Sequence, residues 1–373
     1  MTVVASVESS LALLEETLLL QANLPERIAD YDMNDEAELG LLKAFPVLHE
    51  SLKSLAVVAK RWRENDTAAM QSQTVHRLLA RTAIVAGTAA IVMAVIQLAM
   101  KQTVPRLIVI PFVLEAIAVF SALVAVGIGL FAKIDRRWIG KRHLAERQRM
   151  LKFHALEQLP CLTKVAWEQW VEQKLAELKG ADEFHAVEAW SQEDEVEPAV
   201  AGEANGQLGI GERRALAVYY RIKRLQFQAQ YFDRRRKLIQ NQTAGWRRLT
   251  LPLFLSSVIC VLAHFALEQQ ARHVATLERA HIFASLAIWS VALAAVIPVI
   301  SAGFRAWFAA FELPRSASLY GAKCRALVRL AAHIAKDSGD IAVTQHHMTQ
   351  TEHFLEQEHR EWLRLLCDTE WFI

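Results

Sequence analysis

Four stretches of this chain are too long and too apolar for ordinary core helices, and they constrain everything else. Residues 82–100 (TAIVAGTAAIVMAVIQLAM) and 282–304 hold no charged side chain. Residues 107–132 hold one, Glu115, and 249–267 hold none but include His264. A bilayer core about 30 Å thick needs about 20 helical residues at about 1.5 Å each. The four runs are 19 to 26 residues long. Soluble core helices seldom extend so far without a charge. Composition fits segregation of the two kinds of residue: 53% hydrophobic beside 22% charged, with a mean hydropathy of +0.17. A collagen, a disordered chain and a disulfide scaffold are excluded on the same figures. The net charge of +2 is a cancellation of local asymmetries. The first run begins beyond residue 80, so it reads as an internal span and not a signal peptide.

The flanks set an orientation. Lys60, Arg61, Arg63, Arg77 and Arg81 precede the first run, and KIDRRWIGKRHLAERQRMLK (133–152) follows the second. Arg221, Lys223, Arg224, Arg234, Arg235, Arg236, Lys237, Arg247 and Arg248 precede the third, and Arg305, Arg315, Lys323, Arg325 and Arg329 follow the fourth. The two short links, 101–106 and 268–281, are poor in positive charge. Positive residues accumulate on the cytoplasmic side. The expectation is an all-α membrane protein with four transmembrane helices as two hairpins, long cytoplasmic helical extensions and both termini in the cytoplasm. Arg136, Arg137, Lys141, Arg142, Arg234, Arg235, Arg236, Arg247 and Arg248 are expected at the membrane surface, where anionic headgroups are the nearest polyanion. The basic runs then need no nucleic acid as partner.

The two hairpins read as copies of one unit. Each has a basic approach helix (58–81 and 219–248), two spans, and a basic exit segment (131–151 and 304–330) extending the spans below the membrane. Trp138, Leu144, Leu151 and Leu156 in one exit segment, and Leu319, Leu327 and Leu330 in the other, keep helical spacing. The chain is divided accordingly: N-terminal cytoplasmic helices 1–57, a first two-span unit 58–160, a cytoplasmic helix and acidic linker 161–218, a second two-span unit 219–335, and an amphipathic tail helix 336–373. Asp35 and Glu38 in YDMNDEAE (31–38) have the spacing of an N-cap and its partner. In the tail, Phe354, Leu355, Trp362, Leu365 and Leu366 can share one face, with Glu352, Glu356, Glu358, Arg360 and Arg364 elsewhere. No segment longer than five residues alternates like a strand.

A convergent catalytic constellation is not evident. Cys161, Cys260, Cys324 and Cys367 lack metal spacing, and the cytoplasmic ones are expected to be reduced. His346, His347, His353 and His359 cluster in the tail without i, i+4 ligand geometry, so a solvated helix face is expected. Gly206, Gly209 and Gly211 spell GxxGxG, but no strand precedes them and no Lys-Ser/Thr follows. The segment 191–211, with five acids and no Lys or Arg, reads as a flexible linker. No enzyme activity, cofactor or metal is expected. The candidate pore or packing residues are Glu115, Gln97, His264, Pro111 and Pro298. A carboxylate at a helix centre costs about 2.5–3.5 kcal/mol on insertion scales. Glu115 either lines an ion path or an oligomer core, or is neutralised or hydrogen-bonded to Gln97 or nearby backbone. Pro111, Pro252 and Pro298 can kink spans two, three and four.

In YYRIKRLQFQAQYFDRRRKLIQNQTAGWRRL (219–249), Tyr-x-x-x-Arg is followed by Gln, Tyr and a basic stretch. SLYGAKCRALVRL (318–330) and HFLEQEHREWLRLL (353–366) follow the span pair, and Trp138, Arg142, Ala145 and Glu146 give a Trp-x-x-x-Arg-x-x-Ala-Glu pattern in the first exit segment. These features resemble the SLATT family (SMODS- and SLOG-associating two-transmembrane effector domain), here apparently duplicated across most of residues 58–370. The resemblance implies a bacterial inner-membrane effector that forms pores or depolarises the membrane in antiphage defence, driving abortive infection. It also implies a nucleotide-sensing or defence-system partner, because the chain shows no sensor domain of its own. Four spans cannot easily enclose a conduit, so a homo-oligomer in the lipid bilayer is expected. Gly87, Ala90, Ala94, Ser290 and Ala294 would permit close packing. The alternatives are a membrane scaffold or anchor that recruits a cytoplasmic partner, and a small ion channel or transporter.

Overall fold

In the computed structural model the described residues are 2–23, 31–193, 208–310, 313–336 and 340–367. Among them there is no strand. Twelve α-helices are described: α1 Thr2–Ala22, α2 Pro46–Ser54, α3 Ala56–Thr103, α4 Val109–Ala132, α5 Ile134–Gln158, α6 Lys164–Glu177, α7 Phe184–Gln192, α8 Ile210–Tyr220, α9 Phe227–His273, α10 Leu277–Ala310, α11 Leu313–Lys336 and α12 Ile341–Cys367. A π-helical turn, Arg221–Gln226, joins α8 to α9 without a break. Most of the acidic linker (194–207), including Gly206, lies outside the described residues, as do the side chains of Arg247 and Arg315.

Two compact units emerge, each assembled from separated stretches. The first holds Met1–Gln73, Asp135–Arg236 and Ser318–Glu370, and the second holds Thr74–Ile134, Lys237–Ala317 and Trp371–Ile373. The sequential division into 58–160 and 219–335 runs across both. The approach segments are indeed continuous with their spans, because α3 and the α8–α9 rod are unbroken helices. The first exit segment is not continuous with its span. Lys133, at φ 48°, ends α4 in the left-handed region, where the helix cannot propagate.

The first unit folds around an aliphatic and aromatic core. Leu11, Leu14, Leu18 and Ala22 give α1 a buried stripe at helical spacing, while Leu13 and Leu20 face outward. Leu48 and Leu52 of α2, Leu144, Phe153 and Leu156 of α5, Leu327 and Ile334 of α11, and Met348 and Leu355 of α12 complete the same core. Thr163 caps α6 by accepting from the Ala166 amide, as expected of Thr before an apolar-periodic run. Gly140 lets α5 close onto the loop between α6 and α7. A Cβ there would lie 2.1 Å from the Asp182 carbonyl oxygen. Leu144, Leu151 and Leu156 are buried in this core and Trp138 is buried against Trp362, so the first exit helix packs into the first unit.

The second unit contains the apolar runs. Four helices are long and apolar enough to cross a membrane: Ala56–Thr103, Pro105–Ala132, Leu251–His273 and Leu277–Phe308. They bury between 0% and 17% of their most apolar windows, so their side chains face outward, as lipid-exposed helices do. Pro252 and Pro298 lie inside helices. Pro111 is different: it stands in the first turn of α4, where its missing N–H has no intrahelical partner to lose, so the expected kink is absent. Close approaches between the helices occur at Ala294, whose carbonyl accepts from Ser257 at 3.0 Å, and at Gly303. A Cβ on Gly303 would lie 2.5 Å from Thr88 Oγ1, whereas one on Gly87 would meet nothing within 4 Å.

Candidate functional site: a charged hub in the first unit

The rod α8–π–α9 is enclosed on nearly every side through its π turn. Tyr219, Tyr220, Ile222, Lys223, Arg224, Leu225 and Phe227 are all buried. Two pairs at i, i+4 spacing, Tyr219 with Lys223 and Tyr220 with Arg224, project to different partners. A π turn inserted in an α-helix often marks a functional position, and here it carries both cations.

Tyr219 and Lys223 meet the segment 31–38. The Lys223 ammonium donates to the Tyr31 carbonyl at 2.7 Å, the Asn34 carbonyl at 2.6 Å and Glu38 Oε1 at 3.1 Å. It also lies 3.8 Å above the centre of the Tyr31 ring. Lys152, from α5, donates to the Asp32 carbonyl at 2.6 Å, to both oxygens of Asp35 at 2.8 and 3.0 Å, and to the Tyr219 hydroxyl at 3.1 Å. Tyr219 in turn donates to Asp35. Each ammonium thus has at least three acceptors for its three protons. The expected N-cap role of Asp35 and Glu38 is therefore corrected. Their carboxylates neutralise two lysines that would otherwise be ions stranded in a low-dielectric core.

Tyr220 and Arg224 meet α12. Arg224 forms a fork on Glu352, with Nε to Oε1 at 2.9 Å and Nη2 to Oε2 at 2.5 Å, and Tyr220 donates to Oε1 at 2.6 Å. Planar, bidentate pairing of this kind is among the strongest available to a side chain. The Arg224 guanidinium also lies 4.5 Å over Phe153. Further along α5, Arg149 Nε is 3.1 Å from Asp32 Oδ2 and its guanidinium lies 5.1 Å over Trp62. Arg142 pairs with Asp66 at 2.6 Å and with Glu146. Five cations (Arg142, Arg149, Lys152, Lys223, Arg224) thus meet five carboxylates (Asp32, Asp35, Glu38, Glu146, Glu352), with Asp66 at the edge.

The electrostatics follow from this pairing. Burial disfavours ionised Asp35, but Lys152 and Lys223 outweigh it and hold the carboxyl below its usual range. Burial likewise opposes Glu146, yet Arg142 and Arg149 bring it down to about 2. Burial prevails at Glu38, which is pushed up against the pull of Lys223. Burial lowers Lys152, aided by repulsion from Lys223 and opposed by Asp35. The lysines are saturated donors and so unsuited to nucleophilic work. What the arrangement does is pin the N-terminal segment and α12 onto one central helix.

The sequence-derived residues fall elsewhere. Glu115 is half-buried in α4 and Gln97 half-buried in α3, and no hydrogen bond joins them. His264 ties two helices: its Nδ1–H donates to the Ala287 carbonyl of α10 at 3.0 Å, and Nε2 lies 3.5 Å from Glu268 on its own helix. Among the expected membrane-surface cations, Arg136, Arg137, Arg234, Arg235 and Arg248 are exposed. Lys141 is engaged by Asp182 at 2.5 Å, Arg236 by Asp233 at 2.6 Å, and Arg142 by the hub, while Arg136 lies 4.7 Å over Phe184. Lys152, Lys223 and Arg224, counted with the basic flanks, are core residues. Glu352, His359 and Arg360, expected on the solvated side of the tail, are also buried. Tyr-Tyr followed at i+4 by Lys-Arg was the available signal, together with the acids of 31–38.

Among the described residues, no three His, Cys, Asp or Glu side chains gather to hold a metal. A separate cleft of about 230 Å³ opens beside α2 and α6, lined by Pro46, Val47, Leu162 and Trp167 among others. No family model, no curated protein and no solved structure matches the chain.

Proposed function

We propose that this chain is an oligomeric membrane effector of the SLATT-like kind, duplicated, which depolarises a bacterial inner membrane in antiphage defence when its extramembrane helices receive a signal. The observation that carries this reading is in the spans. Four membrane-length helices leave at least 83% of their most apolar windows unburied. One carboxylate, Glu115, stands among them at partial burial. An ionisable group inside a membrane span is expensive and marks an ion path or an oligomer core. In this reading the spans form two hairpins, copies of the chain associate through the unburied faces, and Glu115 lines the conduit between them. The exposed cations Arg61, Arg81, Arg137, Arg234, Arg248 and Arg305 support the reading with both termini in the cytoplasm, even without the three cations absorbed by the core. The extramembrane helices that the charged hub pins together would receive the signal from a separate nucleotide-sensing or defence partner.

Purified protein in anionic-lipid vesicles tests the proposal. Cross-linking should trap an oligomer, ion flux should exceed that of empty vesicles, and Glu115→Gln should change its cation-to-anion selectivity. Tight vesicles holding inserted monomer, together with induced cells that keep their membrane potential, would refute it. A partner protein co-purifying with non-conducting chains would favour the scaffold reading instead.

A further inference from the structure

The charged hub holds the N-terminal half of α12, whereas the C-terminal half is held differently. There the His359 ring lies parallel to that of His143 on α5, with ring centres 5.3 Å apart and planes within 6°. His143 Nδ1 is 3.1 Å from His359 Nε2. Trp190 of α7 sits 4.8 Å from the first ring and 5.5 Å from the second. A separate set of bonds fastens α7 to α12: Arg360 Nη1 donates to the Trp190 carbonyl at 2.9 Å, and Arg364 Nε to that of Ser191 at 2.6 Å. Arginine does not titrate, so this fastening is independent of pH. From α5, the imidazole contact is joined by Arg147 over Trp190 at 4.9 Å and by Trp138 against Trp362 at 6.1 Å.

A hydrogen bond between two imidazole nitrogens needs a donor on one ring and a lone pair on the other. Two neutral rings supply both. Two imidazolium rings would oppose N–H to N–H and place two charges in contact. The surroundings are already rich in cations. Arg142 and Arg147 of α5 and Arg360 of α12 bear on the pair, against Glu146 of α5 and Glu356 of α12. Glu193, beyond α7, is engaged by Arg360, and Glu358 by Lys323 of α11.

We propose that His143 and His359 form an acid-sensitive clasp. As the pair gains protons, α7 and the C-terminal half of α12 leave α5 together, while the Arg224–Glu352 fork keeps the N-terminal half in place. Burial, joined at His143 by its neighbour His359, pushes the two imidazoles down to about 2 for His143 and about 4 for His359. A released imidazole titrates near 6.5. The released form therefore binds protons that the clasped form refuses, so release is suppressed above that pH and grows below it. Each ring multiplies the opening constant by roughly 50–100-fold between about pH 7.5 and about pH 4.5. At the anchored end the sign is opposite. Burial opposes the charge on His154, but its bond to Glu157 prevails and raises it, so acid does not loosen that end.

Hydrogen exchange on the full chain in nanodiscs, from about pH 7.5 to about pH 5 and corrected for intrinsic rates, tests the clasp. Peptides covering 184–192 and 356–367 should open together on acidification, while 341–352 stays protected. Below about pH 6 the logarithm of the opening constant should follow pH with a slope of about two in the native chain. The slope should be about one in His143→Gln or His359→Gln and about zero in the double variant. A glutamine that merely weakens packing shifts the opening constant but leaves the slope intact. Flat protection of the native chain across this range, or an unchanged slope in the double variant, overturns the proposal.

Discussion

In the first unit, ionised side chains lie at the centre: Lys152, Lys223, Glu352 and Asp32 are wholly buried, each beside an opposite charge. In the second, the apolar runs are nearly devoid of charge, and the hydrogen bonds between them are neutral. Ser257 donates to the Ala294 carbonyl at 3.0 Å and His264 to that of Ala287 at 3.0 Å. The backbones of α3 and α10 come together at Gly303 against Thr88. The difference has a physical origin. A soluble core has flanking helices that can bring an opposite charge to every buried ion, and apolar burial to offset the cost of dehydrating it. A lipid-facing helix has neither, so small residues and single hydroxyls take over the packing. Stability in the first unit therefore depends on charge matching, and in the second on shape.

The largest expected effect breaks the match. Glu352→Ala leaves Arg224 buried without its carboxylate and takes the acceptor from Tyr220. Loss of one partner from a buried pair costs about 3–5 kcal/mol. Denaturant unfolding followed by hydrogen exchange should show α12 and the α8–π rod losing protection while the membrane helices keep theirs. Equal loss in both units would break the comparison.

Shape is tested next. Gly303→Ala puts a methyl group 2.5 Å from Thr88 Oγ1, which is itself held by the Ile84 carbonyl at 2.7 Å. Overpacking of this kind costs about 1–3 kcal/mol. Thermal unfolding in micelles should report the loss, and adding Thr88→Ala should restore part of it. A neutral Gly303→Ala would show that this approach is not close.

Acid separates the units by how strongly they respond. Glu146 and Asp35 are held below their ordinary values, so they stabilise the folded state at neutral pH. That contribution is lost as pH falls through the usual carboxylate range and below it. Glu38, pushed upward by burial, offsets part of the loss. The first unit should thus lose stability below about pH 6.5, where released His143 and His359 take up protons, and further from about pH 4.5 downward as the carboxylates do, with Glu146→Gln flattening only the lower part, while the spans respond little. Stability measured against pH with a probe in each unit checks this.

How much of this was legible in the sequence follows the same division. The spans were readable because lipid imposes one rule along about 20 residues at a time, and the four apolar runs meet it. The helical character of α1, α6 and α12 was readable from apolar spacing. The hub was not, because its partners lie far apart: Lys152 meets residues 117 and 120 positions away, and Arg224 meets one 128 away. Read locally, KFHALE and RIKRLQ look like basic flanks beside a membrane. Their burial depends on acids in YDMNDEAE and in α12, and periodicity does not encode that pairing. The π turn was equally hidden. Which small residues meet a neighbour within the chain was not legible either, because composition does not say which face is turned inward: Ala294 and Gly303 are at such contacts, and Gly87 is not.

The smallest effect sharpens the comparison furthest. Ser257→Ala removes the hydroxyl donor to the Ala294 carbonyl of α10 and leaves nearly the same shape. Interhelical hydrogen bonds in membranes average about 0.6 kcal/mol, because the separated helices find other partners for the same groups. Pro298, four residues on, offers the Ala294 carbonyl no N–H, so the loss here falls toward the upper end for such bonds, about 1.7 kcal/mol. In the first unit the corresponding change is Lys223→Met, which takes one donor from the carbonyls of Tyr31 and Asn34 and from Glu38. Those acceptors lie in and after the short 3₁₀ turn Tyr31–Met33, where the Tyr31 carbonyl has one further, long partner in the Asn34 amide at 3.4 Å, so their loss is felt nearly in full. Unfolding free energies should therefore differ severalfold between the two variants, although each deletes a single polar side chain. If Ser257→Ala proved as damaging as Lys223→Met, the second unit too would depend on buried polar pairing, and the distinction between charge-matched and shape-matched packing would fail.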